Sequence, residues 1–196
     1  HMSTPQTSSE PEAKILELEE NLEEEYNRLE ETLPETDDEE ELVDEFVDSI
    51  KKTFDEFGQD VSDVIEREEE EIGLVRIDGR FDALVGSALI EFKRYGRLNT
   101  GTEFESAKDQ IITQYLNSIP ENQRNKYVGI IFDGVTYAKI EWNKNLGDWV
   151  TQRKKFNLQS FHDILSIIGG STKKLISRDN IVDDFNISSE LSQEVI

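Results

Sequence analysis

The fold is decided by one stretch of the chain, Gly79-Arg-Phe-Asp-Ala-Leu-Val-Gly-Ser-Ala-Leu-Ile-Glu-Phe-Lys-Arg94. It is rich in apolar residues and is punctuated by glycine at both 79 and 86, which is typical of strands joined by a tight turn. We therefore predict strands over 80–85 and 87–94, with a two-residue hairpin turn at Gly86-Ser87.

Three charged side chains of this hairpin, Asp82, Glu91 and Lys93, could act together in one active site. Side chains alternate between the faces of a strand, so Glu91 and Lys93 should lie on one face, about 6–7 Å apart along it. Asp82 lies on the preceding predicted strand, where a favourable register would place it beside Glu91. Two carboxylates next to an ammonium suit metal-dependent hydrolysis of a phosphodiester. Mg²⁺ takes oxygen ligands and keeps several waters, and the lysine can orient a metal-bound water and offset phosphate charge.

The residues around this stretch predict an α/β domain. Apolar residues at three- and four-residue spacing predict helices over 12–33 and 39–57, the second ended by Gly58. A strand is predicted to begin in 61–72, and another covers 74–77. Beyond the hairpin, we predict a helix from 102 or 103 to 118, a strand buried on both faces over 127–132, a strand over 136–142 and a helix over 158–168. This order predicts a mixed sheet with helices packed on it.

The charge is distributed unevenly. The net charge of −23 lies entirely in residues 1–72, with 28 acidic and 5 basic residues, whereas residues 73–196 hold 16 of each. We divide the chain into an acidic, partly disordered or helical extension (1–37), a domain (38–170), and a linker or the start of a further domain (171–196). Because the C-terminal portion is balanced, the overall acidity does not argue against a polyanionic partner.

Composition excludes several classes of site. The chain has no cysteine, which excludes disulfides, thiolate metal sites and cysteine nucleophiles. Only two histidines occur, which argues against a histidine metal site. No apolar run approaches the roughly 20 residues that span a bilayer, so we expect a soluble, cytoplasmic protein without a membrane partner.

The hairpin resembles the PD-(D/E)xK nuclease superfamily, the fold of many restriction endonucleases, in its Asp82, eight intervening residues and Glu91-Phe92-Lys93. The resemblance implies a restriction-endonuclease-like mixed central β-sheet flanked by helices. It implies that Asp82, Glu91 and the carbonyl of Phe92 bind Mg²⁺, for which Mn²⁺ can substitute, and that Lys93 is the catalytic lysine. Phe81 stands where the family's name-giving proline would be.

The same resemblance implies two further site residues from helices. The family commonly adds a glutamate from the preceding helix, for which Glu45 and Glu41 are the candidates. It often carries a glutamine in the following helix, which is Gln110 or Gln114 here.

Basic residues near the motif are candidates for phosphate contacts. Arg80, Arg94 and Arg97 surround it, and Lys173 and the segment 152–155 lie further along the chain. Lysine and arginine neutralise phosphates without reading sequence, so these residues would hold DNA without selecting a site.

A closer likeness is to the N-terminal nuclease domain of fused restriction-modification enzymes. There, a Gly-Arg-x-Asp strand (79–82 here) is followed by an apolar-Glu-x-Lys strand. Residues 176–187 also resemble the linker that leads to a methyltransferase domain. The resemblance implies that the chain is part of a longer protein with methyltransferase and target-recognition domains.

These observations predict a Mg²⁺-dependent DNA endonuclease domain from a restriction-modification or related defence protein. A Glu/Lys pair on a strand is, however, more often a solvated face. The alternative is a non-catalytic interaction module whose acidic arm binds a basic partner or mimics DNA. An exonuclease or repair nuclease of the same fold is a further alternative, and the arm itself has the simpler interpretation of a solubilising extension.

Overall fold

The computed structural model describes residues 9–56, 58, 60–68, 71, 73–78 and 87–171, with side chains described from residue 19 to residue 168 of these ranges. The helices are α1 (Ser9–Thr32), α2 (Glu39–Asp55), α3 (Gly101–Gln114) and α4 (Leu158–Ser171). The strands are β1 (Ile65–Arg67), β2 (Leu74–Asp78), β3 (Ser87–Phe92), β4 (Tyr127–Phe132), β5 (Thr136–Asn143) and β6 (Asp148–Lys155).

The strands form one mixed sheet in the order β1-β2-β3-β4-β5-β6. Every neighbouring pair is antiparallel except β3 and β4, which are parallel and are joined through α3. A parallel pair needs a crossover connection, commonly a helix, which explains why a helix separates these two strands in sequence. The predicted α/β class, a mixed sheet flanked by helices, is confirmed.

Helices cover both faces of the sheet. The main core lies between the sheet and α1, α2 and α4, and includes Phe46, Phe92 and Phe132. Phe46 and Phe132 have ring centroids 4.5 Å apart. A second core lies under α3 and includes Ile131 and Ile140. β3 and β4 contribute to both cores, which accounts for their nearly continuous apolar sequence.

The C-terminal half of α1 belongs to the main core. Leu29 of α1 and Leu33, in the turn that follows it, are fully buried there, and the ring centroid of Tyr26 is 5.6 Å from that of Phe156. Arg28 links α1 to α2, with nitrogens 2.7 Å from Glu25 and 3.0 Å from Glu45. The boundary predicted at 37/38 therefore runs between two helices that share one core.

Several boundaries differ from the sequence predictions. Ser87 is the first residue of β3 and pairs with Asp78, so the turn predicted at Gly86-Ser87 is wrong at Ser87. The hairpin partner of β3 is β2, while the strand predicted over 80–85 falls outside the described residues. Strand β6 was not predicted, because an exposed edge strand with two apolar residues in eight has no clear alternation. The third helix ends at Gln114, and a 3-10 turn follows at Leu116–Ser118.

Within the described ranges, no helix has the length and apolar character needed to cross a membrane.

Candidate active site

Glu91 is a buried carboxylate near the end of β3. Ala88, Ile90 and Phe92 face the main core, so Glu91 faces the α3 side of the sheet, where the residue is only 2% exposed. Burial raises the pKa of Glu91 to about 7, against the opposing effect of Lys93 and with further increases from Glu71 and Glu39. Its Oε1 lies 3.2 Å from Lys93 Nζ. Its Oε2 is buried without a hydrogen-bond partner in the described part of the chain.

Lys93 follows β3 directly and is fixed at both ends. Its backbone N–H donates to the carbonyl of Phe132 at 2.9 Å, which continues the β3–β4 pairing. Its Nζ lies between Glu91 and Gln110, donating to Gln110 Oε1 at 3.4 Å. The structure thus brings Glu91, Lys93 and Gln110 together, whereas Gln114 is exposed at the end of α3.

The helix glutamate that approaches the site is Glu39, which was not among the predicted candidates. Burial raises its pKa, while Lys93 and then Arg97 oppose the increase, so its carboxylate lies near both cations. The two predicted candidates are engaged elsewhere. Glu45 is bound by Arg28, and Glu41 accepts from the backbone N–H of Asp37 at 2.8 Å.

A signal for Glu39 was present in the sequence. Val43 and Phe46 belong to the apolar stripe of α2 and follow Glu39 by four and seven residues. Positions at this spacing share a helix face, so Glu39 continues the stripe toward the sheet. The surrounding acidic run, 37–41, concealed it among solvent-facing carboxylates.

The carbonyl of Phe92 lies beside Glu39, at Gly73. The backbone N–H of Phe92 donates to the carbonyl of Gly73 at 2.6 Å. A Cβ built on Gly73 would lie 2.6 Å from Phe92 O and 2.8 Å from Glu39 Oε2. Two oxygens therefore converge on a residue that has no side chain, and any other residue would displace them.

Glu71 is a further carboxylate near this group, and sequence reasoning missed it. It precedes β2, and its carbonyl accepts from the backbone N–H of Leu74, the residue paired with Glu91. Its side chain is hydrogen-bonded to Tyr115, whose pKa is raised to about 12 by burial and then by Glu71. Its position within four consecutive glutamates made it indistinguishable from an exposed acidic loop.

A cleft of about 360 Å³ opens next to Lys93. Arg94 and Arg97 line it, together with Glu103 and Ser106 of α3 and with three acidic residues at the start of α2, Asp37, Asp38 and Glu39. Arg97 Nε lies 3.1 Å from Glu103. Two of the predicted phosphate-binding arginines therefore lie beside Lys93.

Asp133 holds the loop that carries these arginines. It is fully buried, and its Oδ2 accepts from the backbone N–H of Leu98 at 2.7 Å. Its Oδ1 accepts from the backbone N–H groups of Val135 at 2.8 Å and Thr136 at 2.6 Å. The β4–β5 turn and the 93–99 loop are therefore fixed to each other.

Asp82, Arg80 and Lys173 lie outside the described residues, so their predicted roles remain predictions. Among the described residues, no group of three or more His, Cys, Asp or Glu is arranged to hold a metal ion. Lys93 occupies one oxygen of Glu91, and Tyr115 is hydrogen-bonded to Glu71.

Comparison with known proteins identifies no relative: no protein-family model, no curated protein and no solved structure matches the chain.

Proposed function

We propose that this chain is a Mg²⁺-dependent DNA endonuclease domain with a restriction-endonuclease-like fold. In this proposal it is the cleavage module of a restriction-modification or related defence protein that also carries methyltransferase and target-recognition domains. The observation that carries the proposal is the contact of Lys93 with both Glu91 and Gln110 at the end of a buried strand. A solvated Glu/Lys pair would not place its carboxylate at 2% exposure.

The donor atoms present fit a hard divalent cation. Glu91 Oε2 is buried and lacks a partner among the described residues, and the Phe92 carbonyl and Glu39 Oε2 converge on Gly73. These are all oxygen donors, which Mg²⁺ and Mn²⁺ prefer. Asp82 is proposed to complete the set. A bound ion would supply an activated water and stabilise charge on the phosphate.

The side chains would divide the remaining work. Lys93 would stabilise the charge that develops on the attacked phosphate, because it lines the cleft. Gln110 would orient Lys93 by accepting a hydrogen bond from Nζ. Arg94 and Arg97 would bind flanking phosphates and position the scissile bond.

The second candidate is a non-catalytic module that uses the same fold for interaction. It is favoured by the ion pairs that already neutralise Lys93 and Arg97, and by the lack of a three-ligand metal group in the described residues. Mn²⁺ titration calorimetry separates the two candidates. Heat that is lost in Glu91→Gln supports the nuclease, and an absence of binding by the unmodified chain supports the interaction module.

The proposal is tested with covalently closed supercoiled plasmid in Mg²⁺ and in Mn²⁺. Such DNA has no ends, so nicking of it is endonucleolytic. The unmodified chain should nick it and Glu91→Gln should not. Glu141→Gln is the matched control, because Glu141 also pairs with a lysine two residues away, at 3.2 Å, but is exposed. Equal nicking by all three proteins would contradict the proposal.

A further inference from the structure

We infer that the DNA backbone crosses one end of the sheet on a cationic track formed by Lys93, Arg94, Arg97, Arg153 and Lys155. This inference rests on the proposed DNA substrate and adds the path that the substrate takes. Its new part is the continuous path that joins the cleft to strand β6, which contains the segment 152–155 that the sequence offered as a separate phosphate contact.

The sheet register places the two ends of the track at the same end of the sheet, where β3 and β6 both finish. Phe92, immediately before Lys93, pairs with Phe132, and Phe132 pairs with Tyr137. Thr136, the residue before Tyr137, pairs with Lys155. Three strand spacings separate β3 from β6, which is about 14 Å across the sheet.

Arg153 connects the two ends. It pairs with Ala138, whose side chain lies in the core under α3, so Arg153 is on the same face as α3. Its Nη2 donates to the carbonyl of Leu98 at 3.1 Å, and its guanidinium lies 4.3 Å from the ring centroid of Phe104. The loop carrying Arg94 and Arg97 is therefore attached to β6, as well as to Asp133.

The charge of the track is only partly neutralised. Lys93 and Arg97 are paired with Glu91 and Glu103. Within the described residues, Arg94 and Lys155 form no ion pair. Arg94 does, however, share the cleft with Asp37, Asp38 and Glu39, which reduce the positive potential around it. Lys155 shares a pocket with Glu30 and Glu31. Their negative charge lowers the positive potential around Lys155 without forming an ion pair with its ammonium. Its two neighbours in the chain, Lys154 and Phe156, add one further exposed cation and one core anchor.

A phosphodiester backbone fits this geometry. Each strand of a duplex carries one charge per roughly 3.4 Å of axis, so 14 Å spans about four phosphates. Each lysine or arginine that neutralises a phosphate adds about 0.9 to the slope of log affinity against log salt concentration. Arg94 and Lys155, at opposite ends of the track, should therefore contribute separately and additively.

The test is fluorescence anisotropy with a labelled duplex in Ca²⁺, which takes the same oxygen ligands as Mg²⁺, over a series of salt concentrations. Arg94→Ala and Lys155→Ala should each lower the salt slope by about 0.9, and the double variant by about 1.8. Between about 50 and 200 mM salt, the affinity of the unmodified chain should fall about tenfold more than that of the double variant. Lys126→Ala/Lys144→Ala, two exposed lysines at the other end of the sheet, should leave the slope unchanged.

The outcomes separate this inference from the proposed nuclease. An unchanged slope in Lys155→Ala, with a reduced slope in Arg94→Ala, overturns the extension to β6 while plasmid nicking stands. The expected slopes in a chain that does not nick plasmid support the track and contradict the nuclease. A chain that does not bind the duplex at low salt overturns the track.

Discussion

Replacing Glu91 with glutamine is expected to stabilise the protein at alkaline pH and to change its stability little near pH 5. Burial raises the pKa of Glu91 from 4.5 to about 7, so the folded state holds a proton in a range where the unfolded chain has lost it. The stability that this proton confers is fully present below pH 4.5 and is lost as the pH rises through 7. The glutamine side chain of the variant would be neutral throughout and would show no such loss.

The size of the effect follows from linkage. A raised pKa of this extent corresponds to about 3 kcal/mol over the whole titration, at ~1.4 kcal/mol per unit. Between about pH 5 and pH 9 roughly 2.5 kcal/mol of it is expressed. The difference between the two proteins isolates Glu91, because the other carboxylates titrate in both.

The assay is urea unfolding followed by the fluorescence of Trp142 and Trp149 across this pH range. Glu141→Gln serves as the control, because its carboxylate makes a similar lysine pair at 52% exposure, and loss of an exposed pair should change stability by less than about 1 kcal/mol. If the stability of Glu91→Gln relative to the unmodified chain stays constant with pH, or falls as pH rises, the buried carboxylate does not have the environment described.

Three further substitutions test the surroundings of the site and its support. Gly73→Ala should lower the free energy of unfolding by about 2 kcal/mol, because its Cβ would meet Phe92 O at 2.6 Å. Gly101→Ala is the control, since its Cβ would enter open space; equal losses of thermal stability in the two variants would refute the convergence of oxygens on Gly73. Asp133→Ala should cost about 3 kcal/mol in urea unfolding, because it leaves buried backbone donors without an acceptor; a cost below about 0.5 kcal/mol would show that the loop is held otherwise. Leu29→Ala should cost about 2–5 kcal/mol, since the residue is fully buried in the main core; a neutral effect would mean that α1 is a detachable extension.

The features that the sequence predicted well are those with a strong local signal. The run 127–132 is apolar at nearly every position because β4 is covered on both faces, and this pattern has few alternatives. Glu91 and Lys93 face the same side because the period of a strand is two. Gln110 reaches Lys93 because α3 lies within the crossover from β3 to β4 and packs on the same face of the sheet as Glu91.

The features that it missed depend on tertiary contacts. Glu39 and Glu71 sit in acidic runs, and only tertiary packing brings the carboxylates of these two residues close to Glu91. β6 is held by its pairing with β5, which a charged edge sequence does not reveal. The docking of α1 follows from an apolar stripe whose partner surface is assembled from residues more than 100 positions away, such as Phe156 and Phe161.

The proposed function depends above all on Lys93, between Glu91 and Gln110, acting in phosphodiester hydrolysis. The most direct measurement is the rate of plasmid nicking in Mg²⁺ by Lys93→Ala compared with Lys139→Ala. Lys139 is a matched control, because its Nζ also lies 3.2 Å from a glutamate two residues away on a strand, and its exposure of 27% is close to the 23% of Lys93. We predict a loss of roughly 10²-fold or more in Lys93→Ala and an unchanged rate in Lys139→Ala. Equal rates in the two variants would contradict a catalytic role for Lys93.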